Sequence, residues 1–356
     1  MSPSAPSASA APADRRLAFE VMGGPARFTF EAGPPALQRA QDEAAARAQV
    51  ELRRIEAKYS RYRPGSVLSR LNASAGQGRP VAVDDETADL LDAAQRLHTA
   101  SGGRFDISTG ALRRVWNFGQ PGVPSAEALG QAMACVGWHR LNWRRPWLEL
   151  GPPGLELDLG GLCKEYAVDR AATLLEAASV GAAIVNLAGD LRAIGRRADG
   201  QPWRLGIAHP RRPGALLAEL SLHSGALATS GDYERGFEWQ GRRYSHLLDA
   251  RTGWPVADWQ AVSVLAPVCS AAGMLATVAM LSGPEAPALL QGEGVEHLLV
   301  DAQGSVQATA AFVPAAGSRW APSRAPQSAA PAHRKPPCPP STTTPTATSP
   351  SHAVRA

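Results

Sequence analysis

Five short segments of this 356-residue chain combine glycines with carboxylates or hydroxyls. They are SRYRPGSVLSRLN (60–72), SGGRFDISTGAL (101–112), LDLGGLCKEYAVDRAA (157–172), VNLAGDLRAIG (185–195) and TSGDYERGFEWQGRRYSHLLDARTG (229–253). Taken singly, Gly beside Asp or Asn is ordinary turn chemistry. The third segment offers more. Gly160-Gly161 stands between an apolar run and a helix-like run that opens on Lys164-Glu165. Exposed amides at a helix start attract anions, and Gly lets a ligand approach the backbone closely. Lys164 would add a point charge suited to phosphate. The spacing is neither GxGxxG nor GxxxxGKS/T, so neither a Rossmann nor a P-loop nucleotide site is expected. Cys163 and Cys269 flank this chemistry, and a thiolate at a helix start can be a nucleophile. A small buried packing residue is the commoner use of such a Cys.

The elements that must position these segments are readable from periodicity. Residues 17–31 alternate around a Gly pair, which predicts strand, tight turn and strand. The Ala-rich run from Pro35 to Tyr59 carries charges at helical spacing and predicts a long amphipathic helix. Leu37, Ala44, Val50, Leu52 and Ile55 are expected to line its buried side. A second helix is expected at 85–100, with Asp84 or Asp85 as cap. Residues 155–159 read as a short strand leading into the Gly pair and a helix from Glu165, and 185–195 as two strands about a turn. Further strands are expected at 204–208, 216–222, 226–229, 243–248 and 298–301, and a helix at 270–282. Clustered strands with irregularly placed helices predict an α+β fold with mixed or antiparallel sheets.

Composition bounds the rest. Apolar residues make up 44% and charged residues 19%, enough for a large core. Residues 1–16 and 315–356 are rich in Ser, Pro, Ala or Thr and read as disordered ends around one body at 17–314. The tail holds Arg319, Arg324, Arg334, Lys335 and Arg355 and no acid. Removing this +5 from the chain's +4 leaves a body near −1, so no nucleic-acid surface is expected there. No apolar run is long enough to span a membrane, and no basic and apolar leader is visible, which predicts cytoplasmic action. Four scattered cysteines without a CxxC pair suit reduced thiols.

The joint presence and order of SRYRPGSVLSRLN, GGRFDISTGAL, LDLGGLCKEYAVD, VNLAGD, TSGDYER, YSHLLDARTG and AGMLATVAML resembles the ApbE-type FAD:protein FMN transferases. The likeness covers roughly residues 17–300. It implies a two-lobed α+β fold, FAD held where the lobes meet, and magnesium near the pyrophosphate. By the same resemblance Met22 would lie against the flavin and Tyr62 would match the aromatic after the first helix. Arg104, Phe105 and Asp106 would contact FAD, as would Asp158 of the Asp-x-Gly-Gly motif with Lys164 as its partner. His246 and Leu247 would line the cofactor. Gly161, through its carbonyl, and Thr277, through its hydroxyl, would be metal ligands.

The reaction so implied moves the FMN phosphoryl group to a Thr or Ser hydroxyl of an acceptor protein, a redox or membrane protein, and releases AMP. His246 is the candidate general base, since neutral imidazole suits proton removal from a hydroxyl. Lys164 would neutralise developing charge. Two positions depart from the pattern. Gly273 replaces the Asp that the family carries one helical turn before the Thr, and Glu165 stands where Gly is usual. Losing that carboxylate should weaken magnesium binding unless Asp249, Asp158 or Glu165 compensates. A non-catalytic FAD-binding protein and an FAD pyrophosphatase are the alternatives, as is a tail-mediated interaction protein on a retired scaffold.

Overall fold

The hairpin expected at 17–31 forms β1 (Arg15–Val21) and β2 (Gly24–Phe30), turned by Met22 and Gly23 at φ 55° and 74°. Two positive φ values give a turn whose twist matches that of the strands. The computed structural model describes residues 13–318 and Trp320. Most of the two ends expected to be disordered lies outside those residues, and the described part falls in one compact unit.

Next come α1 (Pro35–Tyr59), α2 (Val67–Ala73), β3 (Val81–Ala82), α3 (Asp85–Ala100) and α4 (Ala126–Met133). The hairpin of β4 (Leu141–Arg144) and β5 (Trp147–Leu150) leads to α5 (Gly160–Ala177). Then follow β6 (Ala183–Leu187), β7 (Asp190–Ile194), β8 (Trp203–Ala208), β9 (Leu216–Leu222) and β10 (Gly225–Gly231). A short hairpin, β11 (Gly236–Trp239) and β12 (Arg242–Ser245), precedes β13 (Trp259–Ala266), α6 (Cys269–Leu281) and α7 (Ala286–Gly292). The described chain closes with β14 (His297–Asp301), β15 (Val306–Ala308) and β16 (Val313–Pro314).

The main sheet has eight strands in the order β1-β2-β6-β7-β10-β13-β14-β15, antiparallel throughout. Its central strands, β6, β7 and β13 among them, are largely buried on both faces because both faces are covered. On one side, Ala183 and Val185 of β6 join the core under α1 and α5, with Leu52, Ile55, Val168 and Ala171. On the other, Ile184, Leu191 and Leu298 pack with Trp203 and Leu220 of the small sheet β16-β9-β8 and with Phe312, which precedes β16. A third cluster joins α6 and α7 to β13 and β14 through Val264, Ala276 and Leu290.

Both long helices predicted from periodicity form with the expected bounds, and Asp84 Oδ1 caps α3 by accepting from Thr87 N at 2.9 Å. Three expectations are corrected. Val50 faces solvent at 67% exposure, and Gln41, Ala45 and Ala48 take the buried face of α1 instead. Residues 155–159 form no strand beyond an isolated bridge of Glu156 to Thr109. Leu155, Leu157 and Leu159 all point into the core, so the alternation is that of an extended segment without a ladder. Asn72 clamps this segment, accepting from Leu157 N at 2.7 Å and donating to Leu157 O at 3.1 Å. The helix then starts at Gly160, five residues before the expected Glu165.

Candidate functional site

The early start of α5 decides the geometry. Its first turn holds Gly160, Gly161 and Lys164, and Asp158 precedes it. Asp158 Oδ1 accepts from Gly160 N at 2.8 Å, satisfying one of the unpaired first-turn amides. Its Oδ2 meets Arg113 Nε at 2.8 Å and Arg61 Nη1 at 3.3 Å. Gly161 is needed for close approach: a Cβ there would sit 3.2 Å from the ring edge of Phe105. Phe105 is buried, its amide bonded to Ser101 Oγ at 3.0 Å and its carbonyl 3.1 Å from His98 Nδ1. Asp106, also buried, accepts from Ser108 N and Oγ at 2.9 and 2.7 Å and faces His98 Nδ1 at 3.1 Å. It therefore braces the loop ahead of α5.

Deeper in, α5 meets the ends of β7 and β10 and one face of α6. Lys164 Nζ lies 2.7 Å from Asp190 Oδ2, and Asp190 Oδ1 accepts from Thr229 N at 3.0 Å. Burial alone would lower the Lys164 pKa, but Asp190 and Glu165 hold it well above its usual value. Glu165 is buried, with Oε2 sealed from solvent and without a hydrogen-bond partner. Burial pushes its pKa up, Lys164 opposes this, and the neighbouring Asp190 adds to it. Gly273 faces Glu165 from α6, and Thr277 Oγ1 lies 3.1 Å from Ser230 Oγ of β10. Cys163 and Cys269 are buried thiols whose pKa burial pushes up, which fits packing rather than nucleophilic chemistry.

His246 connects the two clusters. Its Nδ1 lies 3.2 Å from the Arg235 carbonyl, which can only accept, so Nδ1 carries the proton and Nε2 the lone pair. Burial lowers its pKa to about 4, with Arg113, Arg235 and Lys164 adding to that effect against the Arg235 carbonyl. The imidazole is neutral over the physiological range. A cleft of about 630 Å³ opens beside it, lined by Arg61, Arg113, Arg114 and Arg235 with Tyr62 and Trp116 among others. Tyr62 is 75% exposed at the rim, 5.2 Å from the Arg61 guanidinium.

Other residues singled out from the sequence lie around these clusters. Met22 sits at the β1–β2 turn, its amide donating to Glu56 Oε1 at 3.0 Å. Arg104 pairs with Glu285 at 2.9 Å, and its carbonyl accepts from Ala250 N. Leu247 packs beside the cluster of α6 and α7, its carbonyl accepting from Val256 N. No hydrogen bond or ion pair ties Met22, Arg104 or Leu247 to Lys164 or His246. Asp190, Ser230 and Arg113 were given no role from sequence, although Asp190 and Ser230 lie inside two of the quoted segments. Only the fold brings them against Lys164, Thr277 and Asp158. Among the described residues no group of three or more His, Cys, Asp or Glu converges as a metal-binding cluster, and no helix is long and apolar enough to cross a membrane.

The model of the ApbE family matches residues 22–299, which hold every one of these groups. The chain belongs to the ApbE family. It is 34% identical over 283 residues to the FAD:protein FMN transferase of Treponema pallidum, spanning 74% of this chain and 78% of that protein. The enzyme of the same name from Haemophilus influenzae is 31% identical over 245 residues, 66% of this chain and 71% of its own. Among solved structures, the ApbE protein of Thermotoga maritima superposes with a TM-score of 0.75 at 28% identity, covering 84% of this chain and 97% of that one. The apo flavinyl transferase ApbE of Pseudomonas stutzeri gives 0.72 at 30% identity, covering 85% and 94%. The ApbE-like α+β fold expected from the ordered segments is therefore the fold of this chain.

Proposed function

We propose that this ApbE-family chain transfers the FMN half of FAD to a Thr or Ser hydroxyl of an acceptor protein. The observation that carries the reading is His246, a half-buried imidazole kept neutral with Nε2 free beside a cleft lined by four arginines. The kinship with named FAD:protein FMN transferases supports it. The arginine-rich cleft suits the phosphates of a dinucleotide, and Tyr62 and Trp116 offer ring faces.

In this reading the acceptor hydroxyl attacks the FMN-side phosphorus in line. The new P–O bond forms to the acceptor oxygen, the bridging P–O bond of the pyrophosphate breaks, and AMP leaves. His246 Nε2 takes the hydroxyl proton. Lys164, held protonated beside Asp190, steadies the negative charge that builds on the phosphoryl oxygens. The surroundings of Thr277 and Glu165 supply oxygen donors, including the orphaned Glu165 Oε2, and such a set fits a hard cation such as Mg2+. Gly161, through its carbonyl, and Thr277, through its hydroxyl, would hold it. When bound, such an ion neutralises phosphate charge.

The test is incubation of the full chain with FAD, Mg2+ and a candidate acceptor, read by mass spectrometry. A covalent FMN increment on one acceptor Thr or Ser is the expected result. Free FMN with AMP and no adduct would replace transfer by hydrolysis, and intact bound FAD would leave a carrier.

A further inference from the structure

Gly273 and Glu165 are two departures from one pattern, and the fold puts them face to face. A Cβ built on Gly273 would lie 2.9 Å from Glu165 Cδ and 3.0 Å from its Oε1. The carboxyl group on α5 thus fills the space that a side chain on α6 would take. Any side chain at 273 would have to displace it. The two positions are read as a single exchange: a carboxylate withdrawn from one helix and returned from the other.

We propose that Glu165 is the carboxylate ligand of the site's divalent cation, delivered from α5 in place of the side chain that Gly273 lacks. The inference rests on the metal-assisted reading above and names the residue that completes it. Three observations carry it. First, Glu165 is 6% exposed, yet its Oε2 has no hydrogen-bond partner. A buried carboxyl oxygen without a partner is costly unless something else completes its shell. Second, the obvious cation is already engaged, since Lys164 Nζ bonds Asp190 Oδ2 at 2.7 Å and no hydrogen bond joins it to Glu165. Third, residue 273 stands four before Thr277 on α6, and residues so spaced share a helix face. The Glu165 carboxyl therefore sits on the same face as the Thr277 hydroxyl. Both are hard oxygen donors, which select Mg2+ or Mn2+ over soft metals.

The test uses Mn2+ as the probe, titrated into the full chain with FAD present and no acceptor, and followed by electron paramagnetic resonance. Glu165→Gln keeps the shape and removes the charge. It is expected to weaken Mn2+ binding about tenfold or more while the thermal melt stays cooperative. Glu165→Ala should be equally weak, and the double variant Glu165→Ala with Gly273→Asp should regain affinity to within a few-fold of the parent. Parent-like affinity in Glu165→Gln overturns the assignment and leaves the metal-assisted reading standing. A double variant no better than Glu165→Ala also overturns it. Failure of the unmutated chain to bind Mn2+ at all overturns the metal reading and this inference with it.

Discussion

Two carboxylates one turn apart on α5 both meet α6, and they are treated in opposite ways. Asp169 is saturated. Its Oδ1 accepts from Cys269 N at 2.8 Å, and its Oδ2 accepts from Ser270 N and Oγ at 2.8 and 2.7 Å. Arg192 adds an ion pair at 3.2 Å. It caps a helix whose own N-cap, Val268, has no side chain able to do so. Glu165 is more deeply buried and keeps one oxygen empty. The same helix thus fastens the fold with one acid and holds the other in reserve. A saturated carboxylate contributes to stability, whereas a buried one with an unpartnered oxygen is a candidate for further binding.

Substitution separates the two roles. The largest effect is expected at the ligand-facing end. His246→Ala should lower the transfer rate by about 10²–10⁴-fold with little change in the urea midpoint. In the parent, the acid limb of the rate profile should fall near pH 4, because His246 titrates there and not at its ordinary 6.5. An acid limb near 6.5 would contradict the base assignment. At the fastening end, Asp169→Ala should cost about 2–3 kcal/mol of stability by urea unfolding, since a cap is lost and Arg192 keeps only its longer pair with Glu176. FAD affinity should stay close to that of the parent.

Glu86 offers a third, intermediate test. Burial would raise its pKa, but Arg54, Lys58 and Tyr166 hold it at about 2, with Lys58 at 2.6 Å and Tyr166 at 2.7 Å. A carboxyl whose folded pKa lies below its ordinary 4.5 stabilises above that value, and the gain is lost as pH falls towards 2. Glu86→Gln should therefore lose about 1–2 kcal/mol at neutral pH and show a flatter acid limb of stability between those values. The smallest effect is predicted for the stability of Glu165→Gln, within about 0.5 kcal/mol of the parent, because Gln keeps the shape of a side chain whose Oε2 has no hydrogen-bond partner. A large loss there would place Glu165 with Asp169 as a fastening residue.

Much of the fold was legible because its signals are local. The spacing of Ala44, Leu52 and Ile55 fixes α1, and Asp84 announces the start of α3. Leu155, Leu157 and Leu159 misled because alternate burial marks any extended segment, with or without a neighbouring strand. Within the site, Lys164 and His246 stood out by type and context. Their partners did not, because Asp190, Arg113 and the Arg235 carbonyl arrive from other elements. Gly273 and Glu165 lie more than a hundred residues apart, and their contact could not be read from either position alone. Only the packing of α5 on α6 brings them together.

Transfer makes AMP and flavinylated acceptor in equal amounts. AMP release and covalently bound flavin should be quantified together in one reaction of the full chain with FAD, Mg2+ and acceptor. One AMP for each flavinylated acceptor, with both abolished together in His246→Ala, is the predicted result. AMP accumulating with free FMN while the acceptor stays unmodified would contradict it.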